Sequence, residues 1–555
     1  MKKYLFIALC AAAVSLSAQE QLPKWAADLE TLNPGLIDSI LYYNTDPDAP
    51  DTRTYVVYYN QPLKHAQAGS AKFPLRALLT VFKDSDPTTA VNHIYASGYS
   101  IMKESLDNPD ASFATSKDDS DAEIAHRYHA NYIQIEHRYF QQSAPAECWK
   151  MLDDLRAEEA AADFHNLFEA LKKVLKGKYV MSGVSKGGIT TLLQHRFYPN
   201  DMDIFVPYAA PFFNTDRDTE MQQYMLTNGW SKEYRDLFLA VQKNGTYRRD
   251  AIFPIYLKMQ GGADTQAKQD TIYMYYLCAV GEFGCEEHCY SDTASIRRQI
   301  YRNDSIMRAK HVEAYGDTVY AYMFEKVSFS LDSFPKWIDT LRKYPEPKQA
   351  PSVKKQKQFI RPFGISYNQW WSDTINAAAY EYQAKTELGY FDLRFDLLVD
   401  DAADAAGFNE LWKEKAGCKM DLEKPFYRSL TFNPALYNET MTVTRNATTP
   451  IVLIYGQDDA WTGAAVKDEF INGVNVHKFI LPTQNHNVHF TSNTDRAMCE
   501  QIRTILDGVL GAPHGIEPVT EPSLPVTRKV MRDGKIVILR NGETYDLTGR
   551  KLTSE

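Results

Sequence analysis

One short run constrains this chain more than any other: Ser182-Gly183-Val184-Ser185-Lys186-Gly187-Gly188. A β-prone stretch, residues 178–181, enters it, and a helix-prone stretch, residues 187–197, leaves it. Gly-x-Ser-x-Gly in that setting is the pattern of a nucleophile elbow, where a serine sits in a strained backbone conformation on a sharp strand-to-helix turn. The residues two before and two after the serine must be small enough for the helix and the next strand to close in. Gly183, Gly187 and Gly188 meet that demand. Ser185 is therefore the candidate nucleophile, and an ordinary tight turn is the alternative.

The surrounding chain has the grammar that such an elbow needs. Residues 54–60, 75–82, 91–96 and 132–135 are short runs rich in Val, Ile, Leu and Tyr, separated by Asp, Pro, Gly or Ser. Apolar residues recur at helical spacing over 156–175 (Ala160, Phe164, Leu167, Leu171, Leu175), and 203–208 reads as a further strand. Strands alternating with helices imply a mostly parallel α/β sheet. Between about Phe213 and Thr448 the pattern becomes helical, with mixed charge and aromatic clusters at Tyr273-Met274-Tyr275-Tyr276, Trp370-Trp371 and Tyr380-Glu381-Tyr382. Core packing is the plain reading of those clusters. Sheet grammar returns at 451–455 and 476–481, and residues 492–510 read as a closing amphipathic helix. The chain is thus expected to be one α/β domain split by a helical insertion over the C-terminal edge of its sheet.

A serine nucleophile needs a base and an orienting acid, which in this arrangement follow it in chain order at the ends of later strands. The 451–455 strand runs into Gly456-Gln457-Asp458-Asp459-Ala460-Trp461, and the 476–481 strand into Pro482-Thr483-Gln484-Asn485-His486-Asn487-Val488-His489. Asp459 is the candidate acid, with Asp458 as a solvated turn residue. His486 is the candidate base, with His489 three residues on as its rival, expected to pack beneath the closing helix. Trp461 is a candidate wall of the substrate site. The oxyanion of an acyl-transfer intermediate needs two amides: that of Lys186, and a second from Ser97-Gly98-Tyr99-Ser100, donated by Tyr99 or Ser100.

Three further motifs carry a family resemblance. Glu136-His137-Arg138-Tyr139-Phe140, with Ser143 and Pro145, resembles the "EHRYYGxSxP" stretch of serine exopeptidases such as prolylcarboxypeptidase and lysosomal dipeptidyl peptidase. Tyr382-Gln383, Thr386-Glu387 and Gly389-Tyr390-Phe391 are similar to that group's "YQxCTEFGYY" segment, and Gly456, Asp459 and Trp461 to its acid motif, with Ala460 where Pro is usual. The whole resembles most the neighbouring bacterial family of secreted tripeptidyl aminopeptidases, whose elbow is also Gly-x-Ser-Lys-Gly-Gly. The resemblance implies an α/β-hydrolase fold with a large helical cap between nucleophile and acid. Its expected segments are 1–18 signal peptide, 19–212 and 449–511 hydrolase domain, 213–448 cap, and 512–555 linker and β-tail. It also implies an exopeptidase that releases di- or tripeptides from free N-termini, with peptides as substrates and no cofactor. Glu387 would hold the substrate's ammonium, since counting from a chain end calls for a carboxylate there. One departure is Lys385, which stands where the dipeptidyl peptidase group has a cysteine, so that local disulfide cannot form.

Composition narrows the alternatives. With 61 Lys+Arg against 71 Asp+Glu and a pI near 5.8, the chain offers no electrostatic footprint for nucleic acid or for an anionic membrane. Met1-Lys2-Lys3, an apolar run from Tyr4 to Val14 and small residues before Gln19 read as a signal peptide. Export to the periplasm, cell surface or exterior is expected, with no membrane span. Six cysteines would remain (148, 278, 285, 289, 418 and 499), an even number that favours disulfides in an exported chain. Cys285 to Cys289 could form a zinc knuckle, but no second ligand pair of matching spacing accompanies it, and no metal is expected. After Gly511 the chain turns Pro-rich and then strand-like over 535–540 and 544–547 around Asn541-Gly542. An esterase or lipase on the same fold is the runner-up, although its cap would be aliphatic. A non-catalytic surface binding protein is the alternative from another class.

Overall fold

The computed structural model describes residues 22–42, 51–101, 119–145, 152–229, 232–283, 375–419, 429–491 and 495–512, isolated positions among 112–113, 148, 285 and 317–324, and three strands within 527–545. The signal-peptide stretch, Trp370-Trp371, most of the Cys285–Cys289 run, the start of the expected closing helix and Asn541-Gly542 lie outside these residues.

Nine strands form one sheet: β1 (Ile37–Tyr42), β2 (Thr52–Pro62), β3 (Lys72–Phe82), β4 (Asn92–Ala96), β5 (Asn131–Ile135), β6 (Tyr179–Val184), β7 (Ile204–Tyr208), β8 (Ile451–Gly456) and β9 (Val476–Leu481). Their order is β1-β2-β3-β5-β4-β6-β7-β8-β9. Pairings from β1 to β5 are antiparallel, and every pairing from β5 onward to β9 is parallel. This is the mostly parallel, helix-flanked sheet of an α/β-hydrolase. The strand β1 and the helix before it, α1 (Lys24–Thr31), were not expected from the sequence.

β4, β5, β7 and β8 are buried at every position, as parallel strands covered on both faces must be. Alternation sorts their side chains between two cores. Ile133, Met181, Phe205 and Leu453 share one core with Phe164 and Leu171 of α3 (Ala157–Lys172) and Leu192 of α4 (Lys186–Phe197). Tyr132, Val180, Val206 and Ile454 share the other with Ile124 of α2 (Glu123–Tyr128) and with Ile502 and Leu506 of α12 (Arg496–Leu510). The last helix starts at Arg496, where the Asp495 carboxylate accepts the Met498 amide at 3.0 Å.

Between β7 and β8 the described chain is helical: α5 (Glu220–Thr227), α6 (Lys232–Tyr247), α7 (Arg249–Met259), α8 (Gln266–Gly281), α9 (Ile375–Gln383), α10 (Ala402–Lys415) and α11 (Ala435–Arg445). Helices α6, α7, α8 and α10 share a core of their own that includes Phe238, Ile252, Tyr276, Leu277 and Trp412. Met274 and Tyr276 of the first aromatic cluster are buried there, which is the packing role expected of them. The contact pattern divides the chain between Gly511 and Ala512. The second unit holds an antiparallel three-stranded sheet, β10 (Thr527–Arg532), β11 (Lys535–Arg540) and β12 (Glu543–Tyr545).

A fully buried guanidinium ties the first unit together just beyond β5. Arg138 donates through Nε and Nη2 to the Asp163 carboxylate of α3 at 2.6 and 2.9 Å. Its other N–H groups go to the carbonyls of Pro62, Leu63 and Asp154 at 3.1, 3.0 and 2.7 Å. All five guanidinium donors are thereby used. Arg138→Met should leave the buried Asp163 carboxylate with only the His65 ring, 2.7 Å from its Oδ1, as a side-chain partner and cost about 3–5 kcal/mol. Urea unfolding followed by circular dichroism measures this, and a loss of under about 1 kcal/mol, the worth of an exposed pair, would contradict it.

Candidate active site

The elbow has the strain its sequence implies. Ser185 lies at φ 59° and ψ −123°, between the end of β6 and the first residue of α4, and its amide donates to the Tyr208 carbonyl at 3.0 Å. A non-glycine residue at positive φ costs of order 1–3 kcal/mol and persists only where its surroundings impose it. Here the glycines supply that imposition. A Cβ on Gly187 would sit 2.1 Å from the Ala96 carbonyl oxygen, and one on Gly183 2.5 Å from the same atom. β4, β6 and α4 can therefore converge only because those side chains are missing. Ser185 is half-buried, at the C-terminal edge of the sheet.

Asp459 and His486 reach that edge from β8 and β9. The His486 imidazole Nδ1 and Asp459 Oδ2 are 2.7 Å apart, and Asp459 Oδ1 accepts the Trp461 amide at 3.0 Å. Both side chains are buried, Asp459 completely. One carboxylate oxygen fixes the turn after β8 and the other fixes the ring. Nε2 is the ring nitrogen that points away from the carboxylate. The two rivals sit elsewhere: His489 Nδ1 lies 2.9 Å from Thr491 Oγ1, and Asp458 is buried under Gly229 rather than solvated. The Trp461 ring centroid is 6.4 Å from that of His486, and Trp461 also packs against Phe213, Tyr390 and Phe391. Trp461 thus walls the space beside the His486–Asp459 pair with three other aromatic rings.

The loop 97–101 departs from expectation at Tyr99. Its amide donates to Ser97 Oγ at 3.2 Å, so it is spent within its own loop. The hydroxyl collects both ends of that residue because Ser97 Oγ also donates to the Tyr99 carbonyl at 2.8 Å. Among the described residues the Ser100 amide, the other one expected from the sequence, has no acceptor. The Lys186 amide opens α4 and, as a first-turn N–H, has no carbonyl within the helix.

The side chains that hold this loop were not read as functional from the sequence. Glu136 accepts the Ile101 amide at 3.0 Å, the Arg76 guanidinium at 2.6 Å and the Ser143 hydroxyl at 2.8 Å, and the His137 amide donates to the Tyr99 carbonyl at 3.0 Å. The Lys186 ammonium, buried, donates to the Gly98 carbonyl and lies 5.3 and 5.0 Å from the ring centroids of Tyr99 and Phe140. Burial holds its pKa well below the usual lysine range, and burial followed by the Lys186 charge holds that of His137 well below the imidazole range. Gly98, at φ 73°, lies so close to the elbow that a Cβ would be 2.5 Å from the Gly187 nitrogen. Only a pattern of buried charges at the end of β5 could have signalled this network, and one sequence does not show burial.

Glu387 has a different neighbourhood from the one expected. It lies on a π-helical turn, Ala384–Leu388, that follows α9. Its Oε2 accepts the Ala157 amide at 2.9 Å, and its Oε1 is 3.4 Å from the Arg156 guanidinium. The carboxylate therefore satisfies the N-terminus of α3 and fastens the insertion to it. Burial raises its pKa, opposed by the Ala157 amide and by Arg156. Lys385 beside it reaches Asp216 and lies 3.6 Å from Cys418 Sγ, a cation where the related group has a cysteine.

Among the described residues the one cluster with metal-ligand chemistry is His165, Glu169 and Asp201. Asp201 there is already bonded to His165 at 2.8 Å and to the Gln194 amide at 2.7 Å. No described helix is long and apolar enough to cross a membrane.

Because Glu387 replaces a helix cap, Glu387→Ala should lower stability by about 0.5–2 kcal/mol. A shift in the urea midpoint at unchanged slope would show it. An unchanged midpoint would mean that the contact with Ala157 contributes nothing.

Several known proteins are similar to this chain. The chain is 33% identical over 207 residues to a prolyl tri/tetrapeptidyl aminopeptidase of Streptomyces mobaraensis, a match spanning 37% of this chain and 39% of that protein. Among solved structures it is similar to the cell-wall-degrading esterase LipA of Xanthomonas oryzae (14% identity, TM-score 0.33, 86% of this chain and 100% of that one). It is also similar to the peroxisomal α/β-hydrolase Lpx1 of Saccharomyces cerevisiae (9% identity, TM-score 0.34, 84% and 91%). Residues 44–276 match the model of the PS-10 peptidase S37 family, so the resemblance to tripeptidyl aminopeptidases seen in the motifs is met over the stretch that carries the elbow.

Proposed function

We propose that this chain is a serine peptidase that releases short peptides, of two to four residues, from free N-termini. The observation that carries the chemistry is the buried 2.7 Å contact between His486 and Asp459, at the same sheet edge as a serine on a left-handed elbow. The peptide substrate and the cut near a chain end are supported by the S37 match and by the name of the Streptomyces relative.

In this reading His486 Nε2 takes the Ser185 proton as Oγ attacks the scissile carbonyl, and returns it to the departing amine. Asp459 holds the tautomer and stabilises the imidazolium. The amides of Lys186 and Ser100 receive the oxyanion, with Ser100 replacing Tyr99 because the Tyr99 amide is already bonded. Water then cleaves the acyl-enzyme through the same base. Trp461 and its aromatic neighbours line the substrate side. With both Glu387 oxygens engaged, the substrate's ammonium is assigned to another carboxylate. Export remains part of the proposal on the strength of the N-terminal sequence alone.

A fluorophosphonate probe should label Ser185, and Ser185→Ala should abolish turnover in a folded protein. His486→Ala should lose three or more decades of kcat, roughly what removal of a triad member costs, and His489→Ala far less. A folded wild type that resists the probe would sink the nucleophile assignment, and the reverse ranking would move the base to His489. Free-amine tri- and tetrapeptide amides of a fluorescent amine should be cleaved well and their acetylated forms poorly. Equal cleavage would favour an endopeptidase or esterase. Glu387→Gln should keep the preference for free amines, and loss of that preference would return the anchor to Glu387.

A further inference from the structure

Four and five residues after His486, the amides of Phe490 and Thr491 converge on one buried carboxylate from a distant part of the chain. Glu123, the first residue of α2, accepts Phe490 N–H at 3.2 and 3.1 Å on its two oxygens, and Thr491 N–H at 3.0 Å. Its Oε1 also accepts the Tyr208 hydroxyl at 2.9 Å. Tyr208 ends β7, and its backbone carbonyl is the acceptor for the Ser185 amide at 3.0 Å. A continuous buried path therefore runs from Ser185 N–H to the Tyr208 carbonyl, through the Tyr208 side chain to Glu123, and from Glu123 to the loop after His486. The far side of that loop is held as well, since Arg503 of α12 donates to the Phe490 carbonyl at 3.1 Å.

We infer that Glu123 is a positioning residue for His486, fixing the 486–491 loop to the same strand residue that holds the nucleophile's amide. This rests on the proposed reading of His486 as the base. A carboxyl that served only to fill the core would be a poor choice, because burying one costs free energy unless its oxygens are matched. Here every described partner is a donor, and each belongs to a segment that carries or contacts the reactive set. A shift of about 1 Å in a group that must meet its partner at hydrogen-bond distance can lower a rate by roughly 100-fold, so holding the loop has a kinetic consequence. Burial pushes the Glu123 carboxyl up to about 8, against the pull of the Phe490, Tyr208 and Thr491 donors. In the neutral form Oε1 carries the proton toward the Tyr208 oxygen, which as a hydroxyl can accept as well as donate, while Oε2 keeps both amides; glutamine, with its NH2 in that place, repeats the arrangement.

The test compares Glu123→Ala, Glu123→Asp and Glu123→Gln in the full chain, each checked for folding by circular dichroism. In Glu123→Ala, kcat on a free-amine tripeptide amide should fall roughly 10- to 100-fold while KM stays within about threefold, and the rate of fluorophosphonate labelling should fall in parallel. Glu123→Gln should recover both rates to within about threefold of wild type. If Glu123→Ala does not fold, Glu123→Asp decides, because its shorter side chain keeps the carboxyl but cannot hold Tyr208 and both amides together. A folded Ala or Asp variant with wild-type kcat would overturn the inference, as would a loss of rate that only tracks the folded fraction. His486→Ala run alongside separates the two readings. If it keeps full activity, the base assignment fails. If it is inactive while Glu123→Ala is unimpaired, only the positioning role fails.

Discussion

Arg138 is the contact on which the rest of the first unit depends. A guanidinium with no exposure is tolerable only if each N–H finds an acceptor, and here the acceptors come from the end of β2, from Asp154 and from α3. The chain just after β5 is consequently held to α3 in one geometry. From it hang His137, which bonds the Tyr99 carbonyl, and Glu136, which bonds the Ile101 amide. The position of the loop beside the elbow is thus set by a buried ion pair. Most of the Glu-His-Arg-Tyr-Phe motif is explained by this support, and none of its side chains needs to touch substrate.

The elbow is placed from the other side by close backbone approach. Gly183 and Gly187 let β6 and α4 press against Ala96, and Gly98 brings the 97–101 loop within reach of Gly187. Strain at Ser185 is then a consequence of packing and is held by it. The insertion joins the same assembly through Glu387, which meets the N-terminus of α3, the helix that Arg138 grips through Asp163. Supports for the loop and for the insertion therefore share one helix.

Much of this could be read in the sequence, and the limit has a physical origin. The elbow, the strands β8 and β9, and the residues Asp459 and His486 were legible because strand, turn and helix are written in local periodicity and glycine placement. The contact of His486 with Asp459 places side by side two residues that each follow the end of a strand. That the Tyr99 amide meets a side-chain hydroxyl two residues away depends on the loop's three-dimensional path, which the sequence does not display. The contact of Glu387 with the Ala157 amide is invisible in the sequence because Ala157 stands far away along the chain and nothing local points to it. Glu123 and Lys186 escaped notice as supporting groups for the same reason: burial, which gives a charge its leverage, belongs to the folded chain.

The order in which the pieces arrive along the chain has its own consequence. β6 and Ser185 precede the insertion, whereas β8, β9 and the loop to Thr491 follow it. During synthesis the serine is made long before Asp459 and His486 exist, and the sheet cannot close until its last two strands dock. Pairings of such wide sequence separation form late and slowly. On the proposed reading, attack by Ser185 on a peptide bond therefore waits on completion of the fold, since a chain that stops before β8 has neither Asp459 nor His486 to set beside the serine.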